Sequence, residues 1–218
     1  DGACMGCGEK TAVHLIVSAV EAMMRPRVKQ YVTRLDAMIE GLDQRARALI
    51  ASGVNLDTAS RDATAGAVEA PVDADQQRQL AVITRALREL KDLRWRYTVG
   101  PSGKGRANMA MANSTGCSSV WGSTYPYNPY PFPWVNHLFQ DAPSIAIGVF
   151  DAHMRKMGDA FISVRRAQLL LDDKYDAAMH EPEFVKLDWK GFDDDEFAMC
   201  PPIISMGGDG AMLDIGFQ

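Results

Sequence analysis

Ala107-Asn-Met-Ala-Met-Ala-Asn-Ser-Thr-Gly-Cys-Ser-Ser119 is the stretch on which the reading of the fold turns. Its first six residues are small or apolar and suit a short strand buried on both faces. A polar, glycine-containing turn with one cysteine follows. The strand therefore delivers Asn113–Ser119 to its carboxyl end, where open α/β sheets bind ligands. A second run of the same kind, Pro201-Pro-Ile-Ile-Ser-Met206, ends in Gly207-Gly-Asp-Gly210. Ala211 to Phe217 should open the helix that follows. Two such strand–turn units predict an α/β protein with a parallel sheet flanked by helices.

Working outward, apolar residues recur at helical spacing from about Thr11 to Ala51: Val13, Val17, Val20, Met24, Val28, Leu35, Met38, Ile39, Leu42 and Leu49. Pro26 should start a new helix or kink the first. Ser52 to Pro71 reads as a linker. Asp73 to Tyr97 reads as a second helix with Leu80, Ile83, Leu87 and Leu90 on one face. The pair forms an expected antiparallel helical hairpin at 25–100, inserted into a domain made of 1–24 and 101–218. Pro101-Ser-Gly-Lys-Gly-Arg106 lacks the full spacing of a phosphate loop and is expected to be a plain turn.

Tyr125 to Trp134 is dense in proline and aromatics, so neither a helix nor an interior strand is expected there. It suits either a rigid loop lining a cofactor cleft or a packing loop. Val135 to Met157 is expected to be helical, with a break near Asp141-Ala-Pro143 and a buried Ser144–Phe150 portion. A further helix is expected from Ala160 to Met179, with Phe161, Val164, Ala167 and Leu171 inward. Glu181 to Phe197 is acidic and reads as loop.

The chain has 218 residues, 47% of them hydrophobic, which is enough for a real core. A formal net charge of −5 gives no electrostatic reason to expect nucleic acid or an anionic membrane as partner. No apolar run is long enough to span a membrane, and no signal peptide is evident. Four unevenly spaced cysteines (Cys4, Cys7, Cys117, Cys200) are too few for a disulfide scaffold and point to metal or redox use in a reducing, cytoplasmic setting. The absence of an initiator methionine and the stop at Gln218 are expected of a piece truncated at its C-terminus.

Cys4 and Cys7, flanked by Gly2, Gly6 and Gly8, could face one metal centre. A CxxC pair alone equally fits zinc, an iron–sulfur cluster, a dithiol switch or a disulfide. Cys117 supplies a third soft ligand. Cys200, before two prolines and without flanking glycine, reads as a structural thiol. His14, His137, His153 and His180 are scattered and form no ligand pair. The Gly-Asp-Gly turn could seat a diphosphate at a helix N-terminus, with Asp209 holding a bridging Mg²⁺.

Gly2-Ala-Cys-Met-Gly-Cys-Gly-Glu9, Asn113-Ser-Thr-Gly-Cys-Ser-Ser-Val-Trp-Gly122, Trp134-Val-Asn-His-Leu-Phe-Gln-Asp141 and Gly207-Gly-Asp-Gly210 occur in that order. Together they resemble the thiamine diphosphate and proximal-cluster domain of pyruvate:ferredoxin (flavodoxin) oxidoreductases, over about residues 1–24 and 107–218. The resemblance implies that Cys4, Cys7 and Cys117 ligate a [4Fe–4S] cluster. It implies that Glu9 and the Cys117 turn contact thiamine diphosphate. Gly208, Asp209, Gly210 and Ala211 would hold the diphosphate, with Asp209 on Mg²⁺. The implied reaction converts pyruvate and coenzyme A to acetyl-CoA and CO₂ and passes electrons through the cluster to ferredoxin or flavodoxin. It also implies a homodimer for the full-length enzyme. The fourth cluster cysteine, the remaining Mg²⁺ ligands, the activating glutamate and the substrate-binding residues are expected outside these 218 residues, which alone should show no turnover. Two alternatives stand beside this: a relative acting on another 2-oxoacid, and a non-catalytic zinc or redox module.

Overall fold

The computed structural model describes residues 3–53, 74–114, 116–122, 130, 132–136, 142–208 and 212. The expected linker at 52–71 and the turn residues Asp209, Gly210 and Ala211 fall largely or wholly outside that set. The described elements run α1 (Gly8–Gly53), α2 (Ala74–Thr98), β1 (Ala110–Asn113), α3 (Cys117–Gly122), β2 (Trp134–Asn136), α4 (Ala142–Leu171), α5 (Ala177–Val185), a 3₁₀ turn at Trp189–Gly191, α6 (Asp194–Ala198) and β3 (Ile203–Met206). The molecule is a mostly helical α/β protein with a small parallel sheet flanked by helices.

The sheet has three strands in the order β2-β1-β3, all parallel. Met111 lies beside Trp134 and Ile204, and Asn113 beside Asn136 and Met206. Side chains alternate across the sheet. Met109, Met111, Ile204 and Met206 face a cluster that includes Val13, Val17 and Val20 of α1. Ala112 and Ile203 face Ala142, Ile145 and Ala146 of α4. Alanine at 112 lets α4 lie close on that side.

Both flanking helices continue beyond the sheet. There α1, α2 and α4 enclose a second and larger core, from Tyr31, Leu35, Met38 and Leu42 on α1, Ile83, Leu87, Leu90 and Leu93 on α2, and Met157, Phe161, Val164 and Leu170 on α4. Tyr31 meets Tyr97 at 5.1 Å between ring centroids, and Asp36 pairs with Arg94, so α1 and α2 run antiparallel as expected.

Several local expectations are corrected. Pro26 does not start a new helix: α1 is one 46-residue element with Pro26 inside it. The lost backbone hydrogen bond is offset by buried Met24 before the proline and by Tyr31 and Leu35 after it. Val135 and Asn136 belong to an edge strand, not a helix. A single α4 replaces the two helices expected between 135 and 179, and it ends at Leu171. Its Ser144–Phe150 portion is not wholly buried; Ile147 is 69% exposed, because only the face carrying Ala142 and Ala146 meets the sheet. Residues 181–197 are loop only in part: 181–185 and 194–197 are helical, with a 3₁₀ turn between them. Asp176 caps α5 through Ala178 N, and Asp193 and Glu196 form a reciprocal capping box at α6. The plain turn at 101–106 is present, with Gly103 and Gly105 at positive φ. Among the described residues no helix is long and apolar enough to cross a membrane.

Candidate functional site

The carboxyl end of β1 holds the largest concentration of buried polar groups among the described residues. Asn113, Ser114 and Ser118 are all 0% exposed. Polar groups that deep must be paired, and they are. The Asn113 carboxamide donates from Nδ2 to Asn136 Oδ1 at 2.7 Å and to Ser119 Oγ at 3.2 Å. Its Oδ1 accepts from Ser118 Oγ at 2.7 Å. Trp134 Nε1 donates to the same Asn136 oxygen at 2.8 Å, and Ser119 Oγ donates to Ser114 O at 3.3 Å. Ser119 N closes the turn onto Gly116 O at 3.1 Å. Cys117, the first residue of α3, stands exposed on top of this network.

The turn after β3 packs against the turn after β1. A Cβ on Gly116 would lie 3.3 Å from Gly208 N, and one on Gly207 would collide with Ser114 Oγ. Ser114 N donates to Met206 O at 2.9 Å, and Ser114 Oγ to Met212 Sδ at 3.7 Å. The close approach of two backbones is what the glycines permit. Met212 N donates to Gly208 O at 3.0 Å. Of the diphosphate residues expected from the sequence, Gly208 is in place beside the Cys117 turn. Asp209, Gly210 and Ala211 lie outside the described residues.

The CxxC segment forms its own turn. Cys7 N donates to Cys4 O at 3.1 Å, with Gly6 at φ 74°, a left-handed conformation that suits glycine. Cys7 then caps α1: its Sγ accepts from Lys10 N at 3.5 Å, and its carbonyl from Thr11 N and Thr11 Oγ1. Glu9 is in the first helical turn, where the helix dipole favours a carboxylate. Ala3, next to Cys4, packs on the same apolar cluster as Trp121, four residues beyond Cys117. Around Gly6 and Gly8 the position of a Cβ has no neighbour within 4 Å.

Cys4, Cys7 and Cys117 are free thiols. The donor chemistry suits an iron–sulfur cluster or zinc, and the space around Gly6 and Gly8 would admit a bulky group. The three sulfurs are nonetheless not brought together: among the described residues, no three His, Cys, Asp or Glu side chains are grouped so as to hold a metal ion. The two backbone turns at the adjacent strand ends, by contrast, do come together, and Gly116, Gly207 and Gly208 keep side chains out of their junction. Cys200 is half-buried, its sulfur near Glu196 O, and burial pushes its thiol up to about 11. It behaves as a structural thiol.

Sequence reasoning assigned no role to Asn113, Ser118 or Asn136. The available signal was an unbroken polar run directly after a buried strand. Asn136 carried none, because its segment read as helix. The described part of the aromatic run, Tyr130, Phe132 and Trp134, packs on itself and on the sheet: Tyr130 stacks on Trp134 at 4.7 Å, and burial raises its phenol pKa. Trp134 also lies 5.9 Å from Trp121.

No family model and no solved structure matches the chain. It is 34% identical over 87 residues to pyruvate dehydrogenase (NADP+) of Cryptosporidium parvum, a match covering 37% of this chain and 4% of that protein. It is 28% identical over 109 residues to pyruvate synthase subunit PorB of Methanosarcina barkeri (strain Fusaro / DSM 804), covering 50% of this chain and 24% of that one. The chain thus spans a quarter or less of each relative, and both relatives are named for pyruvate.

Proposed function

We propose that the chain is the cofactor-binding part of a cytoplasmic 2-oxoacid oxidoreductase acting on pyruvate, which yields acetyl-CoA and CO₂ and passes electrons to ferredoxin or flavodoxin. The observation that carries this reading is the meeting of the Gly116 and Gly207–Gly208 turns at adjacent parallel strand ends, directly beneath an exposed cysteine. The two pyruvate-named relatives support it.

In this reading Gly208, Asp209, Gly210 and Ala211 hold the diphosphate of thiamine diphosphate, and Asp209 takes Mg²⁺. Glu9 and the turn at Cys117 touch the cofactor. Cys4, Cys7 and Cys117 ligate a [4Fe–4S] cluster, which requires the Cys4–Cys7 turn to move towards Cys117. When bound, thiamine diphosphate would supply the carbon nucleophile for decarboxylation, and a cluster held by Cys4, Cys7 and Cys117 would be the electron acceptor. The chain's own contribution is placement: backbone N–H groups for the diphosphate and one short turn shared by both groups. Residues 25–100 are the inserted hairpin, and 1–24 with 101–218 the cofactor-bearing part.

The full-length protein, purified anaerobically, should be brown and retain thiamine diphosphate. Cys117→Ser should remove the reducible cluster signal while circular dichroism stays unchanged. Asp209→Ala should abolish Mg²⁺-dependent cofactor binding measured by calorimetry. A colourless, zinc-containing protein, or undiminished cofactor binding in Asp209→Ala, would overturn the assignment.

A further inference from the structure

We propose that Asn113 is the positioning residue of the candidate site. It makes no claim on a ligand itself. One fully buried carboxamide ties the two serines after Cys117 to the end of β1 and to Asn136 at the end of β2. It thereby fixes the turn from which the Cys117 sulfur projects.

Three features support a positioning role over ordinary core filling. First, Asn113 sits in the central strand between β2 and β3, so its side chain is held by the strand that both neighbours pair with. Second, its bonds reach two other elements, α3 and β2, and the two α3 contacts are the residues immediately following Cys117. Third, α3 has only six residues and cannot hold its own N-terminus in place. An apolar residue of similar size would fill the space and leave Ser118 Oγ buried without a partner. The carboxamide donates and accepts at once, which this arrangement needs: Ser118 donates to it, while Ser119 and Asn136 accept from it.

The network stands on this chain's own geometry; its consequence for a cluster rests on the function proposed above. The test separates the two. Amide hydrogen exchange on the full-length protein, purified without metal, is followed in peptides covering 114–122, with peptides covering 31–46 as the fold control. Asn113→Ala should speed exchange at 117–122 by about tenfold or more, since one net hydrogen bond near 1.4 kcal/mol corresponds to tenfold, and leave 31–46 unchanged. Ser118→Ala deletes a single bond and should show a smaller change in the same peptide; it serves if Asn113→Ala fails to fold. Unchanged exchange at 117–122 in Asn113→Ala, or an equal rise in 31–46, would overturn the inference. In the reconstituted protein, the cluster's midpoint potential should shift in Asn113→Ala at unchanged iron content, and an unshifted potential would sink the positioning role. If the wild type binds no cluster but exchange responds as stated, the positioning role stands and the functional reading fails.

Discussion

The helical bundle buries one continuous apolar core drawn from α1, α2 and α4, whereas the sheet end buries a handful of methionines and aromatics beside a network of amide and hydroxyl groups. The bundle spends its few buried charges on cross-ties. Arg166, 5% exposed, donates to both oxygens of Glu181 at 2.7 and 2.9 Å and to Glu89 at 2.9 Å, joining α4 to α5 and α2. Those bonds hold the Glu181 carboxyl down to about 2. At the sheet end the buried groups are neutral, and Cys4 and Cys117 stand exposed while Cys7 is half-buried. Stability is concentrated in one region and candidate chemistry in the other, and the two are joined by helices α1 and α4, which belong to both.

The comparison can be broken most sharply in the bundle. Phe161→Ala removes a ring packed edge-on against Phe192 at 4.9 Å and should cost about 3–5 kcal/mol in urea unfolding. If the sheet end were an independent unit, its exchange protection would survive that change; shared helices predict that it falls as well. Arg166→Ala should cost about 1–2 kcal/mol, because it removes the shared cation while Glu89 keeps Arg85 and Ser163 and Glu181 keeps Tyr175, and Arg166→Met should be milder.

The smallest effect lies at the joint between the regions. Arg106 Nη2 lies 2.9 Å from His153 Nε2, and a guanidinium can only donate, so the imidazole accepts and is neutral. Burial, then the Arg106 charge, lowers the His153 pKa from 6.5 to about 4. The unfolded chain takes up this proton first. Stability from this contact is therefore complete above pH 6.5, declines as pH falls from 6.5 to 4, and is flat below. The drop should be on the order of 1 kcal/mol for a half-exposed ring. In His153→Gln that slice of the pH–stability curve should disappear; its persistence would place the titration elsewhere.

Much of this was legible in the chain. The helical periods of α1 and α2, the buried strand at 110–113 and the position of the strand at 203–206, which proves half-buried rather than buried, follow from spacing and residue type alone. Misreadings arose where packing outweighs local preference. Pro26 sits inside α1 because buried residues on both sides hold the helix together. The acidic run at 181–197 is helical at its two ends, and the later helix starts where Asp193 and Glu196 cap each other, a pattern legible as Asp-x-x-Glu but masked by high charge.

Sequence by itself determined which residues could do chemistry: three thiols with glycine neighbours and two glycine turns after apolar strands, each set by local spacing. Only the tertiary structure decided that the two turns meet, since that depends on β1 and β3 lying side by side although about ninety residues separate them. The same pairing put Asn113 at the centre of the network, because burial removes water and leaves its carboxamide to be satisfied by neighbours from distant parts of the chain.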